Sequence, residues 1–383
     1  MAEVKKVAKS KNFIQLSGVL LETNLKLEKG VEVELTNFAD DGKKSKHTVD
    51  VFKKADFKNP ALLIECSPKD EDGNVIGTYQ IGVDYKNIGF GVASKTFDKN
   101  GKLVDNSNFK GIQTVIDKYI TKLMAETMTA KNKSVAENKN KDEEYEVKAG
   151  VDYEEILPTR VFIDKASLTP NEYVDKDFNF KSYLPTITTY NVTSSGVPEN
   201  DICEGHATGI IRAIKDEVFN EEETGRLKID FYMFDNKGET FPVEFTVEKD
   251  LADDFKDLYE AGASCKLYFD VLTRQVGAKK VASNGGFGRR ETHTTSGFSV
   301  TEYSIFKGDD PFEEENENYI GKAEMKKAME GRNITIEQKI KDAKDKADKP
   351  KEAKKGGLGS KASKLSEAKA SEEDSDDDMP FWC

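Results

Sequence analysis

Aromatic and cationic side chains that alternate along an exposed strand can bind a single-stranded nucleic acid. Each base stacked on a ring contributes about 1–3 kcal/mol, while ammonium and guanidinium groups meet the phosphates. That pattern lies between residues 228 and 290. Over 226–234, Leu227, Ile229, Phe231 and Met233 share one face, and Lys228, Asp230, Tyr232 and Phe234 the other. Lys266 and Tyr268 alternate in the same way over 264–272. The stretch 277–290 then gathers Lys279, Lys280, Arg289 and Arg290 around a glycine cluster that contains Phe287, with Arg274 just before it. Solvation alone does not call for a ring among glycines. The expected single-strand contacts are therefore Lys228, Tyr232, Phe234, Lys266, Tyr268, Arg274, Lys279, Lys280, Phe287, Arg289 and Arg290. The bland alternative is that another part of the chain covers the rings.

Two weaker groups, Phe52, Lys53, Lys54, Phe57 and Lys58, and Phe90, Lys95 and Phe97, read as ordinary β surface. Asp70-Glu71-Asp72-Gly73-Asn74 has the composition of a turn, and no histidine accompanies it as a nuclease metal site would need. Gly285-Gly286-Phe287-Gly288 matches no phosphate-loop spacing. Cys66, Cys203, Cys265 and Cys383 are far apart and form no CxxC, and the histidines are His47, His206 and His293. This leaves no metal-ligand cluster and little material for a nucleophilic triad. The expectation is a non-enzymatic protein without a cofactor, its cysteines packed in cores under reducing conditions. No stretch approaches the ~20 apolar residues of a membrane span, and the first residues lack an apolar signal region, so a soluble cytoplasmic protein is expected.

The elements that must position these groups follow from periodicity. Strands at 204–214, 226–234 and 240–247 are followed by helical spacing of Leu251, Phe255 and Leu258, a stop at Gly262, and strands at 264–272 and 298–306. Asp235-Asn236-Lys237-Gly238 supplies a hairpin turn. Three strands, a helix and two strands is the order of an OB-fold barrel, whose middle strands and first and last loops bind single strands. The first half (12–192) is also β-rich. It has alternation over 13–27 and 31–38, strands at 61–66 and 75–83, an apolar helical stripe over 111–128, and further strands at 160–163 and 183–192. Gly18 occupies its first strand much as Gly209 does later, and an elaborated second barrel is expected there. The overall class is mainly β. Residues 1–11 read as a disordered start, 129–150 and 193–201 as a loop insertion and a linker, and 307–340 as an acidic strap with short helices. Residues 341–383 read as a disordered tether, with eleven lysines against five acidic residues over 339–369.

The chain is 37% hydrophobic and 34% charged, with mean hydropathy −0.66 and net charge −13, six of those negatives lying within 372–378. A nucleic-acid binder of this balance must concentrate its cations on one surface. The same acidic run ends in an apolar tip: Asp376, Asp377, Asp378, Met379, Pro380, Phe381 and Trp382, then Cys383. Like charges keep such a run solvated, and solvation requires no aromatics at its end. The arrangement suits bait for a basic-rimmed apolar pocket. Asp376-Asp377-Asp378-Met379-Pro380-Phe381 resembles the tip of bacterial and phage single-stranded DNA-binding proteins, although here Trp382 and Cys383 follow the phenylalanine. The resemblance implies a protein that coats single-stranded DNA in replication, recombination and repair. It also implies a tip that recruits helicase, primase, polymerase or nuclease, and a large two-lobed chain suits a phage acting in an infected bacterial cell. The rival readings are an RNA-binding or translation-associated OB protein and, behind it, a metal-dependent nuclease.

Overall fold

A strand that closes a small barrel must bend where it leaves one neighbour for the next, and the backbones can approach there only if no side chain intervenes. The computed structural model describes residues 10–142, 152–219, 221–234, 240–276, 280–282, 292–294 and 298–348. The first half contains β1 (Asn12–Thr23), β2 (Leu25–Asn37), β3 (Lys43–Lys54), β4 (Leu62–Cys66) and β5 (Tyr79–Tyr85). The short β6 (Val92–Ala93), β7 (Lys95–Phe97) and β8 (Leu103–Asp105) precede α1 (Ser107–Lys118), α2 (Lys122–Asp142), β9 (Arg160–Val174) and β10 (Phe180–Thr189). The second half contains β11 (Cys203–Phe219), β12 (Glu222–Phe234), β13 (Thr240–Val247), α3 (Ala252–Leu258) and β14 (Ser264–Val276). It ends with β15 (Lys280–Ala282), β16 (Thr292–Thr294), β17 (Phe298–Gly308) and α4 (Lys322–Asp348).

Ten strands form one sheet that closes twice. The run β1–β4–β5–β10–β9 closes through β1–β9, and β12–β13–β17–β14–β11 closes through β11–β12. In each five-stranded barrel the third and fifth strands pair in parallel (β5 with β10, β13 with β17), and helix falls between the third and fourth. Both halves are therefore OB barrels. The first is elaborated by the long β2–β3 hairpin inserted between its first two strands.

The glycines mark the bends. β1 leaves β9 for β4 at Val19, and β11 leaves β14 for β12 at Ile210, each directly after a glycine. A Cβ at Gly18 would run into the Glu65 carbonyl, and one at Gly209 into that of Tyr232. The barrels are joined edge to edge by antiparallel pairing of Asn12–Leu16 with Cys203–Ala207. At this joint the buried Ser17 donates its backbone N–H to Ile202 and its hydroxyl accepts from the Ile202 N–H, both at 2.8 Å. Alternation fills the interiors. Leu227, Ile229, Phe231 and Met233 are fully buried, facing Phe241, Val243, Phe245 and Val247 across the β12–β13 ladder.

Three boundaries depart from the sequence reading. The single stripe over 111–128 is two helices, broken at 119–121 where the Tyr119 N–H closes α1 on the Val115 carbonyl. The insertion read as a loop is helical as far as Asp142, because its Lys, Ala and Glu residues favour helix without a core to bury. Likewise the strap's short helices are one long α4 that continues past 341. It is rich in Lys, Ala and Glu and carries pairs such as Gln338 with Asp342 at 2.6 Å.

Candidate nucleic-acid interface

Antiparallel register places residues of neighbouring strands side by side, so one aromatic per strand at the same level makes a continuous row. On the barrel exterior Phe13 of β1 lies opposite His206 of β11, and His206 lies opposite Tyr268 of β14. Ring centroids are 5.5 Å apart for Phe13–His206, 5.9 Å for His206–Tyr268 and 6.5 Å for Tyr268–Phe306 of β17. Phe306 is 43% exposed, and the other three rings are half-buried. Two ammonium groups flank the row. The Lys266 Nζ stands 4.4 Å from the Tyr268 ring centre and donates to its hydroxyl at 2.8 Å, and the Lys307 Nζ stands 5.2 Å from the same ring. The Tyr268 hydroxyl in turn donates to Asp309 at 3.2 Å. Burial, then the Lys266 ammonium, hold the His206 imidazole below its ordinary range, so it is a neutral ring at neutral pH. The structure thus brings Lys266 and Tyr268 together as expected from their alternation, and adds Phe13, His206, Phe306 and Lys307. These four were missed because cross-strand neighbours leave no mark on linear spacing.

Tyr232 and Phe234 do not face solvent. They are 7% and 1% exposed and form a small apolar cluster with Ile210, Ile320 and Ala328, against which Met325 and Met329 pack. The segment after β17 returns along β14, where the Phe312 N–H bonds the Ser264 carbonyl at 2.7 Å, and α4 then lies across this face. The expected solvent exposure of both rings is corrected: their alternation marks an outer face, and the chain's own α4 covers it. Arg212 completes the cover on Tyr232, donating to its hydroxyl at 3.2 Å.

Two expected phosphate ligands are engaged in ion pairs. Arg274 reaches Glu217 at 3.3 Å and Glu302 at 3.8 Å, inside a cluster where Arg226 also meets Glu217, Glu248 and Glu302. Lys228 pairs with Glu244 at 3.4 Å on the exposed outer face of β12 and β13. Lys280 lies in β15, but its side chain, together with Lys279, Phe287, Arg289 and Arg290, falls outside the described residues. So do the turn at 235–239 and the tip residues Asp376, Asp377, Asp378, Met379, Pro380, Phe381 and Trp382.

Among the weaker groups, Phe52 is core, packed on Phe109, and Lys54 is nearly buried against Asp84 at 3.2 Å. Phe57 and Lys58 instead line a groove of about 410 Å³ with Gln80, Gly82 and Leu184 of the first barrel and Thr273 and Thr301 of the second. Asp70 forms the expected turn: bonds from Asn74 hold its carboxyl below the usual range. No group of His, Cys, Asp or Glu with metal-site geometry occurs among the described residues. Cys66, Cys203 and Cys265 are buried. The Cys66 thiol is pushed far up by its hydrogen bond with Cys203 and by burial, and the Cys265 thiol by burial, which suits packing rather than nucleophilic chemistry. No described helix is long and apolar enough to cross a membrane.

A second aromatic set escaped the sequence reading. The β9–β10 hairpin carries Tyr173, Phe178, Phe180 and Tyr183 with Lys176 and Lys181 inside eleven residues, a density that was itself a legible signal. Tyr173 and Tyr183 stack at 5.7 Å with Lys181 on their face of the hairpin, while Phe180 lies on the other.

Residues 139–342, more than half of the chain, match the YorF family model. The chain belongs to the YorF family. No curated protein matches it significantly. Among solved structures, this YorF-family chain is similar to the wild-type single-stranded DNA binding protein of Thermus aquaticus, at 9% identity and TM-score 0.39. That alignment covers 82% of this chain and 99% of the other. A deletion variant of the same Thermus protein aligns at 9% identity and TM-score 0.39, over 81% and 98%. The YorF match spans the second barrel, the strap and most of α4, so the covered face and the Tyr268 row both lie mostly within it.

Proposed function

We propose that this YorF-family protein binds single-stranded DNA without catalysing a reaction on it. The observation that carries the reading is the row Phe13, His206, Tyr268 and Phe306, crossing both barrels' first strands and bordered by Lys266 and Lys307. Rings at strand spacing accept successive bases, and the two ammonium groups meet the intervening phosphates. Lys279, Lys280, Phe287, Arg289 and Arg290, between β14 and β17 in the sequence, supply four further cations and a ring that would suit the same ligand. The acidic tip adds a recruiting hook for replication, recombination and repair enzymes, as its resemblance to the single-stranded DNA-binding protein tip implies.

The test is titration of labelled oligo-dT, oligo-rU and duplex DNA against the full chain at several salt concentrations, with and without Mg²⁺. Preference for oligo-dT, with steep salt dependence, supports the reading. Equal affinity for duplex sinks it, preference for oligo-rU favours the RNA-binding rival, and cleavage products with Mg²⁺ favour the nuclease.

A further inference from the structure

Phe178 sits at the tip of the β9–β10 hairpin with φ +62°. Of the described non-glycine residues with positive φ (Asp41, Asn87, Phe178 and Glu221), it is the one aromatic. Glycine or asparagine takes this left-handed backbone at lower cost, and asparagine is the very next residue, Asn179. The turn imposes the conformation. The Phe178 N–H bonds the Asp175 carbonyl at 3.1 Å, the Asp175 N–H bonds the Asn179 carbonyl at 2.9 Å, and the Asp175 carboxylate accepts from the Asn179 N–H at 2.7 Å. A bulky ring held where it strains the backbone is a feature that folding alone does not favour.

The surroundings say what the ring could meet. Phe180 lies next to it on the hairpin face that α4 approaches, and α4 sets three cations over the two rings. Arg332 and Lys339 stand 5.9 and 5.8 Å from the centre of Phe180, and Lys344 stands 5.8 Å from the centre of Phe178. Arg332 and Lys339 share Glu172, whose side chain is 7% exposed, and from Arg332 to Asp348 the helix carries five cations against four carboxylates. Adjacent rings beside these cations match alternating bases and phosphates.

We propose that the tip of the β9–β10 hairpin is a second base-stacking site for single-stranded nucleic acid. Phe178 and Phe180 are its platform, and Lys344 of α4 is its phosphate partner. The site belongs to the first barrel, apart from the Tyr268 row, so one strand engaging both would cross the joint between the barrels. The proposal rests on single-strand binding as the function.

Phe178→Asn separates stacking from folding, because asparagine removes the ring and suits the backbone better. In the full chain its melting temperature should be unchanged or higher, while affinity for a long oligo-dT falls roughly five-fold or more, the weight of one stacked base. Lys344→Gln should lower affinity more modestly and flatten the salt dependence. A 5-iodouracil oligonucleotide should photocrosslink to the peptide bearing Phe178. If the wild-type chain binds oligo-dT and Phe178→Asn binds it equally well with no crosslink to the hairpin, this site is wrong and the proposed function stands. If the wild-type chain binds no single strand, both are overturned.

Discussion

A methyl group on Gly209 would enter space held by the Tyr232 carbonyl, and one on Gly18 the space of the Glu65 carbonyl. Each glycine sits where the first strand of a barrel changes partner, so the clash cannot be relieved without opening the barrel. Gly209→Ala and Gly18→Ala should each cost about 2–3 kcal/mol or abolish folding, read from denaturant midpoints. Asp270 offers a different residue-scale test. Burial, and Glu204 directly opposite on β11, push its carboxyl up to about 6. The folded state then binds this proton more tightly than the unfolded chain. Stability contributed by Asp270 should accordingly rise as pH falls through about 6, be complete below the ordinary carboxylate range, and be lost above 6. Asp270→Asn should raise the melting temperature at pH 8 and remove this component of the pH dependence between 4 and 7.

At the scale of elements, α4 decides which faces stay open. Its N-terminal turns bury Tyr232 and Phe234 through Met325, Ala328 and Met329, an apolar contact. From Arg332 onward its contacts with the β9–β10 hairpin are charged: Arg332 also donates to the Thr240 carbonyl at 2.6 Å and ties β13 to Glu172. Arg332→Ala should leave the nearly buried Glu172 with Lys339 as its cation and the Ser182 hydroxyl as a donor, destabilise the protein by about 2 kcal/mol, and raise amide exchange in the hairpin. An unchanged exchange pattern would mean that α4 does not support the hairpin. The alternation of 226–234 was legible as two faces, and its inner face is the barrel core. Which side of the outer face met water was not legible, because a polar helix of low amphipathicity gives little sign of the surface it covers.

At the scale of the whole molecule, net charge −13 and single-strand binding are compatible only if the cations are segregated. Lys266→Gln and Lys307→Gln together should reduce the slope of log affinity against log salt by roughly 1.4, at about 0.7 per phosphate contact for single strands. No change in slope would remove the Tyr268 row from the interface. The acidic tip should compete with phosphate for the same cations. A 1–370 truncation is therefore expected to bind oligo-dT at least as tightly as the full chain and to lose pull-down of replication enzymes. Weaker binding by several-fold would place the tip in the site itself. Trp382 is the chain's single tryptophan, so its fluorescence should follow docking of the tip rather than stacking of bases.

The sequence by itself determined the second barrel, strand by strand, because two-residue alternation and one switch to helical spacing are local properties of the chain. It also placed Gly18 and Gly209 at corresponding bends and set Lys266 beside Tyr268. Only the tertiary structure showed that the first half closes with the same strand order and that β1 and β11 join the barrels into one sheet. It alone aligned Phe13, His206, Tyr268 and Phe306 into a row and laid α4 over Tyr232 and Phe234. These are contacts between residues tens to hundreds of positions apart. They depend on strand register and on which surfaces find each other, and neither is written in the spacing of any one segment.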